Sequence, residues 1–471
     1  MIIVSHAAIA PWMKWESFRK WFNRDFWRAF KSKSIPLCIP PTKEERSRLV
    51  REVYESILSA RYSVDIPETE IVINKGHGVA RTVPVFSVKD YIVYYFCIKE
   101  LEPILAVNRT QNTFGGWALG GKLRCLEEDD LGDGFGEYDS RYAFDPKAWS
   151  AAFGEFNSLL YAQLDTLEFS YVLQFDLSNF YDSIRLDILE RWIREESDSS
   201  KGWIIALLFY FLNQWNRKRT GLHPQAVGIP QDALADCSRI LANYYLQKYD
   251  LYAERQCVNA NAIYFRYSDD QMILLRNQDN YQRLLLLLTR RLDQYGLRVN
   301  QKKVYLWEKE ELENHRLRAL HGLFKDKEDI KSSELTQRFA ASYLSIDNEY
   351  LKSSWNSGLP ALNRLLWANI PSLNPEQQAE LLKRYTSEEY LAKADYKKLK
   401  RIYSLIAPEN KASFMEELLC LSDRLVHNSI HYEIYFFGLE LDEDAFCAKV
   451  QERIKAISSL MDTSDLAMRN Y

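Results

Sequence analysis

A short apolar run, Tyr-Val-Leu-Gln-Phe at 171–175, leads straight into a carboxylate, Asp176. Further along, two more apolar segments, 262–267 and 271–275, bracket Ser268-Asp269-Asp270. Brief runs rich in β-branched and aromatic side chains read as strands, and the polar residues between the second pair read as a hairpin turn. If these strands are neighbours in one sheet, three carboxylates converge at its edge. Like charges gathered in this way are stable only with cations bound. An aspartate at a strand end or in a tight turn is ordinarily solvated, so the argument rests on the convergence and not on any one residue.

Composition narrows the remaining choices. The 471 residues are 47% hydrophobic, enough for a large core spread over two or three domains. With 61 Lys and Arg against 65 Asp and Glu the formal charge is -4, so no general basic surface exists for long nucleic acid, and any grip on it is local. Few Gly (17) and Pro (14) favour helix over an all-β architecture. The seven cysteines are scattered singly without a C-x-x-C pair, which argues against a zinc ribbon or disulfide framework and for core thiols in a reducing cytoplasm. None of the seven histidines has metal-ligand spacing. The N-terminus lacks the pattern of a signal peptide, and the longest apolar run, 203–212, is about half the length a membrane span requires. The expectation is a soluble, cytoplasmic protein without membrane association.

Helical spacing over 12–30, the stop at Pro36, Pro40 and Pro41, and a second helix over 42–60 predict an N-terminal helical segment, 1–65. Strand signals at 70–73 and 83–87 flank a Lys75-Gly76-His77-Gly78 turn, followed by a helix over 88–101 and a loop with Gly115, Gly116, Gly120 and Gly121. The acidic stretch 127–139 fails the EF-hand pattern at Leu131 and Ser140 and reads as a solvated loop. Helices over 186–194, 203–215, 233–249 and 281–295 alternate with the strands, giving an α+β domain over 66–330. Beyond Ser332 only helices recur, at 334–355, 375–385, 387–406, 410–425 and one ending near Met461, with Asn374 as N-cap before Pro375 and a boundary at Gly358 and Pro360. This predicts an all-α domain over 331–471, whose stacked antiparallel pairs suggest a HEAT-like arrangement, although no clean repeat period is visible.

The order of the acidic elements is informative. Phe175-Asp176-Leu177-Ser178-Asn179-Phe180-Tyr181-Asp182-Ser183-Ile184 comes first, then Gly228-Ile229-Pro230-Gln231, then Phe265-Arg266-Tyr267-Ser268-Asp269-Asp270, then Gly296-Leu297-Arg298-Val299-Asn300-Gln301-Lys302-Lys303. This series resembles palm motifs A to D of reverse transcriptases. Upstream, 80–91, Leu101-Glu102-Pro103-Ile104 and Asn112-Thr113-Phe114-Gly115-Gly116 are similar to the fingers of bacterial reverse transcriptases, so the resemblance covers about residues 70 to 310.

The resemblance implies a fold of fingers and palm followed by the helical domain. It also implies that Asp176 and Asp269 hold two catalytic Mg²⁺ ions (or Mn²⁺), with Asp270 in support. Tyr181 would be the steric gate against a ribose 2′-hydroxyl, or else a palm-core aromatic. Leu177, Arg81, Lys75 and Gln231 would lie against the incoming dNTP, Arg81 and Lys75 at its triphosphate; Lys75 could equally be a solvated turn residue. Lys303 matches the lysine that assists the departing pyrophosphate, with a plain surface-edge lysine as the other reading.

Two departures matter. After Pro230-Gln231 the chain has Asp232 and Ala235-Asp236-Cys237-Ser238 in place of the usual Gly and Ser-Pro element, and no Val-Thr-Gly thumb signature occurs around 315–324. Fingers and palm, a helical C-terminal third and an acidic balance together are similar to the abortive-infection (Abi) reverse transcriptases of bacteria. That resemblance implies template-independent, protein-primed DNA synthesis in anti-phage defence, a single-stranded DNA product attached to the protein, and a homo-oligomer, trimer or hexamer. The alternatives are a templated, retron-like RNA-directed DNA polymerase and a catalytically silent scaffold of the same fold, the latter disfavoured by intact Asp176, Asp269, Asp270 and Lys303.

Overall fold

The computed structural model describes residues 13–23, 26–27, 42–67, 69–74, 80–106, 110–115, 149–166, 168–216, 228–231, 236–324, 328–347, 350–351, 355–425 and 427–468. Lys75, the Gly116 to Gly121 glycines, the acidic stretch 127–139 and Asp232 to Ala235 lie outside them. The chain divides into two compact units, one of Met1–Glu70 with Val83–Glu308 and one of Ile71–Thr82 with Lys309–Tyr471.

The chain opens with α1 (Trp15–Arg19) and α2 (Lys43–Leu58). Thr42 starts α2 through a reciprocal capping box: the Glu45 amide donates to the Thr42 hydroxyl at 3.3 Å, and the Thr42 amide donates to Glu45 Oε2 at 2.7 Å. Strands β1 (Thr69–Asn74) and β2 (Ala80–Val85) pair with each other. Then come α3 (Val88–Leu105), β3 (Thr113–Phe114) and α4 (Trp149–Leu164), a helix that periodicity did not bring out.

The core of the first unit is a mixed sheet in the order β3-β6-β7-β4-β9, where β4 is Tyr171–Phe175, β6 Ile263–Tyr267, β7 Asp270–Leu275 and β9 Tyr305–Glu308. Only β3 runs parallel to its neighbour; the rest are antiparallel. A second small pairing joins β5 (Leu177–Ser178) to β8 (Arg298–Val299). Between these strands run α5 (Phe180–Ser183), α6 (Leu186–Glu196), α7 (Gly202–Leu212), α8 (Asp236–Asn259) and α9 (Tyr281–Gln294).

Sequence pattern accounts for how these helices pack. Helix α9 buries Leu284, Leu288 and Leu292, one per turn, and leaves Arg283 and Arg290 exposed. Helix α7 is apolar on nearly every side and is buried accordingly. Helix α8 packs against β6, α3 and α9, and Tyr245 and Trp192 of α6 close on Tyr295 with ring centroids 6.4 and 5.0 Å away.

The second unit continues with α10 (Lys309–His315), α11 (Arg318–His321), α12 (Ser333–Leu344), α13 (Trp355–Leu366), α14 (Pro375–Tyr385), α15 (Glu388–Leu391), α16 (Tyr396–Leu405), α17 (Lys411–Arg424), α18 (Asn428–Glu440) and α19 (Asp444–Met468). Three expectations are corrected here. The helix expected over 334–355 ends at Leu344, where the Ser345 hydroxyl turns back to the Ser342 carbonyl at 2.8 Å. The helix expected over 387–406 is interrupted because Asp395 caps a new start, accepting from the Lys398 amide at 2.9 Å. Gly358 and Pro360 lie inside α13 instead of bounding it. A side chain at Gly358 would come within 3.2 Å of Leu351, so glycine there serves close packing.

One buried acid makes the first unit sensitive to pH. Asp90, in the first turn of α3, accepts hydrogen bonds from the Tyr62 hydroxyl at 2.7 Å, the Asp65 amide at 2.9 Å and the Ser87 hydroxyl at 3.1 Å. Burial pushes its carboxyl up to about 6, against the opposing pull of the bonds from Tyr62 and Asp65. A raised carboxyl holds its proton more tightly folded than unfolded, so its contribution to stability is complete below 3.8 and is lost as pH rises through about 6. The thermal midpoint of the parent should therefore gain on that of Asp90→Asn as pH falls from about 7.5 to about 5. A difference that stays flat across this range would show that Asp90 does not titrate there.

Candidate active site

Strand β4 lies between β7 and β9, and its register with β7 ends at the pair Phe175↔Gln271. The chain therefore leaves β4 at Asp176 beside the point where β7 begins at Asp270. The β6–β7 turn is tight, with Tyr267 paired to Asp270. Tightness has a conformational cost: Ser268, at φ 56°, and Asn179, close after Asp176 at φ 44°, both adopt the left-handed region. Non-glycine residues held there concentrate at sites the surrounding structure over-determines.

Asp176 is 7% exposed. Its backbone carbonyl accepts from the Asn300 amide at 2.8 Å, and its Oδ2 accepts from the Lys303 ammonium. Its Oδ1 is buried with no hydrogen-bond partner. Lys303 sits in a 3₁₀ turn, Gln301–Lys303, started by Asn300, whose side chain accepts from the Lys302 amide. Burial pulls the Lys303 ammonium down; the hydrogen bond and charge of Asp176, then the charges of Asp270 and Asp269, more than offset it, so its pKa is raised. Asp269 is half-buried and Asp270 exposed, and both bear on this one lysine.

Leu177 is buried and pairs with Val299, which ties the Asp176 strand end to the segment carrying Asn300 and Lys303. Tyr181 is half-buried in α5, and its carbonyl accepts from the Ile229 amide at 3.0 Å. Gly228 makes this approach possible. At φ 81°, a β-carbon on it would stand 2.0 Å from the Tyr181 carbonyl oxygen and 2.6 Å from Asp182 Cα. Gln231, half-buried, ends this short stretch. The structure thus brings Asp176, Leu177, Asp269, Asp270 and Lys303 together and seats 228–231 on the backbone of Tyr181. Arg81 is exposed on β2 and belongs to the other compact unit, and Lys75 lies outside the described residues.

Sequence reasoning overlooked what holds the hairpin. Arg266, 0% exposed, forms a two-pronged ion pair with Asp250 of α8. The available signal was a charged residue inside the otherwise apolar strand Ile-Tyr-Phe-Arg-Tyr.

A divalent cation fits part of this arrangement. An ionised carboxylate only accepts, so the buried, unpartnered Oδ1 of Asp176 calls for a positive partner. Among the described residues, no three His, Cys, Asp or Glu side chains already stand at metal-binding spacing, and the Lys303 ammonium is the cation that balances Asp176 here.

No curated protein matches the chain in sequence. Residues 143–321 match the reverse transcriptase (RNA-dependent DNA polymerase) family. Among solved structures, the chain is similar to telomerase from Candida albicans in complex with a TWJ fragment of telomeric RNA, at 12% identity and TM-score 0.36 over 86% of this chain and 67% of that one. It is also similar to apo telomerase from Candida tropicalis, at 15% identity and TM-score 0.34 over 88% and 74%. The matched segment contains Asp176, Asp269, Asp270 and Lys303. The reverse transcriptase domain is confined to residues 143–321, and the protein is an enzyme of the nucleotidyltransferase class.

The close seating of Gly228 generates a direct test. Gly228→Ala forces a β-carbon into occupied space at a positive φ and should destabilise the fold by upwards of about 1 kcal/mol. Hydrogen exchange should show the Ile229 amide losing protection. An alanine variant with the parent's Ile229 protection would mean that 228–231 is not seated on Tyr181 as described.

Proposed function

We propose that the protein is a metal-dependent DNA polymerase that extends DNA without a template from a hydroxyl of its own chain, in bacterial abortive-infection defence against phage. The observation that supports a polymerising site best is the buried, unpartnered Oδ1 of Asp176 at the strand end beside Asp269 and Asp270. Asp176 and Asp269, with Asp270 in support, are the residues to hold Mg²⁺ or Mn²⁺. Such ions activate an attacking hydroxyl and neutralise charge on the leaving pyrophosphate.

The chain's own groups supply the rest. Lys303, with its raised pKa, is protonated at neutral pH and can give a proton to the departing pyrophosphate. In this reading Tyr181 excludes a ribose 2′-hydroxyl, Leu177 and Gln231 lie against the incoming dNTP, and Arg81 and Lys75 reach its triphosphate. The altered element 232–238 and the charge of -4 support short or absent template contact, because a polymerase that grips a long duplex gains affinity from many Lys and Arg phosphate contacts. The 29 tyrosines offer phenols able to act as primer. In this reading 66–330 is the catalytic domain, 331–471 a HEAT-like helical domain, and the working form a cytoplasmic trimer or hexamer. A templated RNA-directed DNA polymerase is the second reading, favoured by the description of the matching family.

Purified protein given dNTPs and Mg²⁺ without template should gain a nuclease-sensitive mass that survives strong denaturant. Asp176→Asn and Asp269→Asn should each reduce incorporation below detection while leaving the fold intact. Tyr181→Ala should narrow the preference for dNTPs over rNTPs; unchanged discrimination would return Tyr181 to the palm core. Free DNA made only when template is supplied would favour the templated reading, and full incorporation by either aspartate variant would overturn the site.

A further inference from the structure

Two residues flank the acidic turn and point to the same helix. Arg266 and Gln271 are register partners across β6 and β7, so their side chains share a sheet face. Both are 0% exposed. Arg266 donates from Nε to Asp250 Oδ1 at 2.8 Å, from Nη2 to Asp250 Oδ2 at 2.6 Å, and from Nη1 to Asn243 Oδ1 at 2.8 Å. The same Nη1 donates to the carbonyl of Ser268 at 2.7 Å. On the other side of the turn, Gln271 Oε1 accepts from the Tyr249 hydroxyl at 2.6 Å, and the Tyr264 hydroxyl donates to Asp250 Oδ1 at 2.9 Å. Asn243, Tyr249 and Asp250 all belong to α8.

Ser268 is the left-handed residue immediately before Asp269. Its carbonyl is held by Arg266, and its amide donates to the Phe114 carbonyl of β3 at 3.1 Å. The two peptide groups that meet at Ser268 are therefore each held, the first by Phe114 and the second, which leads into Asp269, by Arg266. The chemistry of the holder matters. A guanidinium offers five donors in one plane, which can satisfy both oxygens of Asp250 and still reach Asn243 and Ser268; an ammonium is a single point with no such fork.

We propose that Arg266, locked by Asp250 and Asn243, is a positioning residue that sets the Ser268 peptide so that Asp269 and Asp270 face Asp176 in the geometry a divalent cation requires. This rests on the reading of Asp176 and Asp269 as cation-holding groups but not on what the enzyme polymerises. Partners that orient metal ligands typically change metal affinity or activity by about 10–100-fold when removed.

The test uses the full chain and two variants. Arg266→Lys keeps the charge and loses the fork. Arg266→Met with Asp250→Asn removes the buried pair together, so no lone charge is stranded in the core, and the amide oxygen that replaces the carboxylate can still accept from Tyr264. After the far-UV and near-UV spectra of each are matched to the parent, Mn²⁺ binding is titrated by electron paramagnetic resonance without nucleotide, with Asp269→Asn as the reference for loss of the site. Both variants should bind Mn²⁺ about 10–100-fold more weakly than the parent, with dNTP KM little changed and kcat reduced in incorporation assays. Parent-like Mn²⁺ binding in the folded double variant would overturn the proposal and make Arg266–Asp250 an ordinary core ion pair. A parent that binds Mn²⁺ through Asp269 yet incorporates no nucleotide would sink the polymerase reading alone, while weakened binding in the variants would still support the positioning role.

Discussion

The antiparallel register between β4 and β7 is the constraint on which everything at the site depends. With Phe175 opposite Gln271, one strand ends in Asp176 where the other begins with Asp270. A slip of one residue would turn every side chain of β4 to the opposite face. The pair is buried on both of its faces, since Val172, Leu173 and Phe175 are fully enclosed, as are Met272, Ile273 and Leu274 opposite. Hydrophobic burial thus does what the carboxylates cannot do for themselves: it brings like charges into one place despite their repulsion. The lysine that answers them arrives by a second pairing, β5 with β8, which fixes Asn300 against the Asp176 backbone.

Backbone conformations of limited access cluster around the same spot. Asn179, Ser268 and Gly228 all have positive φ, and each lies within or against a segment that borders the carboxylates. Such conformations persist only where neighbours leave no alternative. Here the neighbours are specific: Phe114 and Arg266 for Ser268, and the Tyr181–Asp182 backbone for Gly228. Rigid packing beneath the sheet is the means by which this strain is carried.

Much of this was legible in the sequence, for reasons that differ by element. The strand 171–175 and the helix 375–385 are read to the residue, because each is bounded by chemistry that acts locally: a carboxylate after an apolar run, and Asn374 capping a helix with Pro375 at its first position. Helices α4 and α18 were missed because their apolar residues cover more than one face, which erases the single stripe that periodicity detects. The breaks after Leu344 and before Asp395 depend on serine and aspartate side chains choosing a backbone partner, a decision the surrounding helices make. At the site, the order of motifs singled out the acids and Lys303, whereas the contacts of Asn300, through its backbone amide, and of Arg266, through partners on α8, are properties of the folded chain.

The electrostatics of the hairpin explain why an arginine can stand so near the acidic turn without spoiling it. A free cation next to Ser268 would offset the negative field of Asp269 and Asp270 and compete with any metal drawn to them. Arg266 does not act as a free cation, because both oxygens of Asp250 are engaged on its fork and the pair is sealed from solvent. Its charge is thereby largely cancelled within the core, and only the direction of its Nη1 donor is presented to the Ser268 carbonyl. Lys303 is the opposite case: more than half exposed, it answers Asp176 directly and leaves the second oxygen of that carboxylate open to another cation. One basic residue therefore shapes the backbone, through the Ser268 carbonyl, while the other balances charge at Asp176.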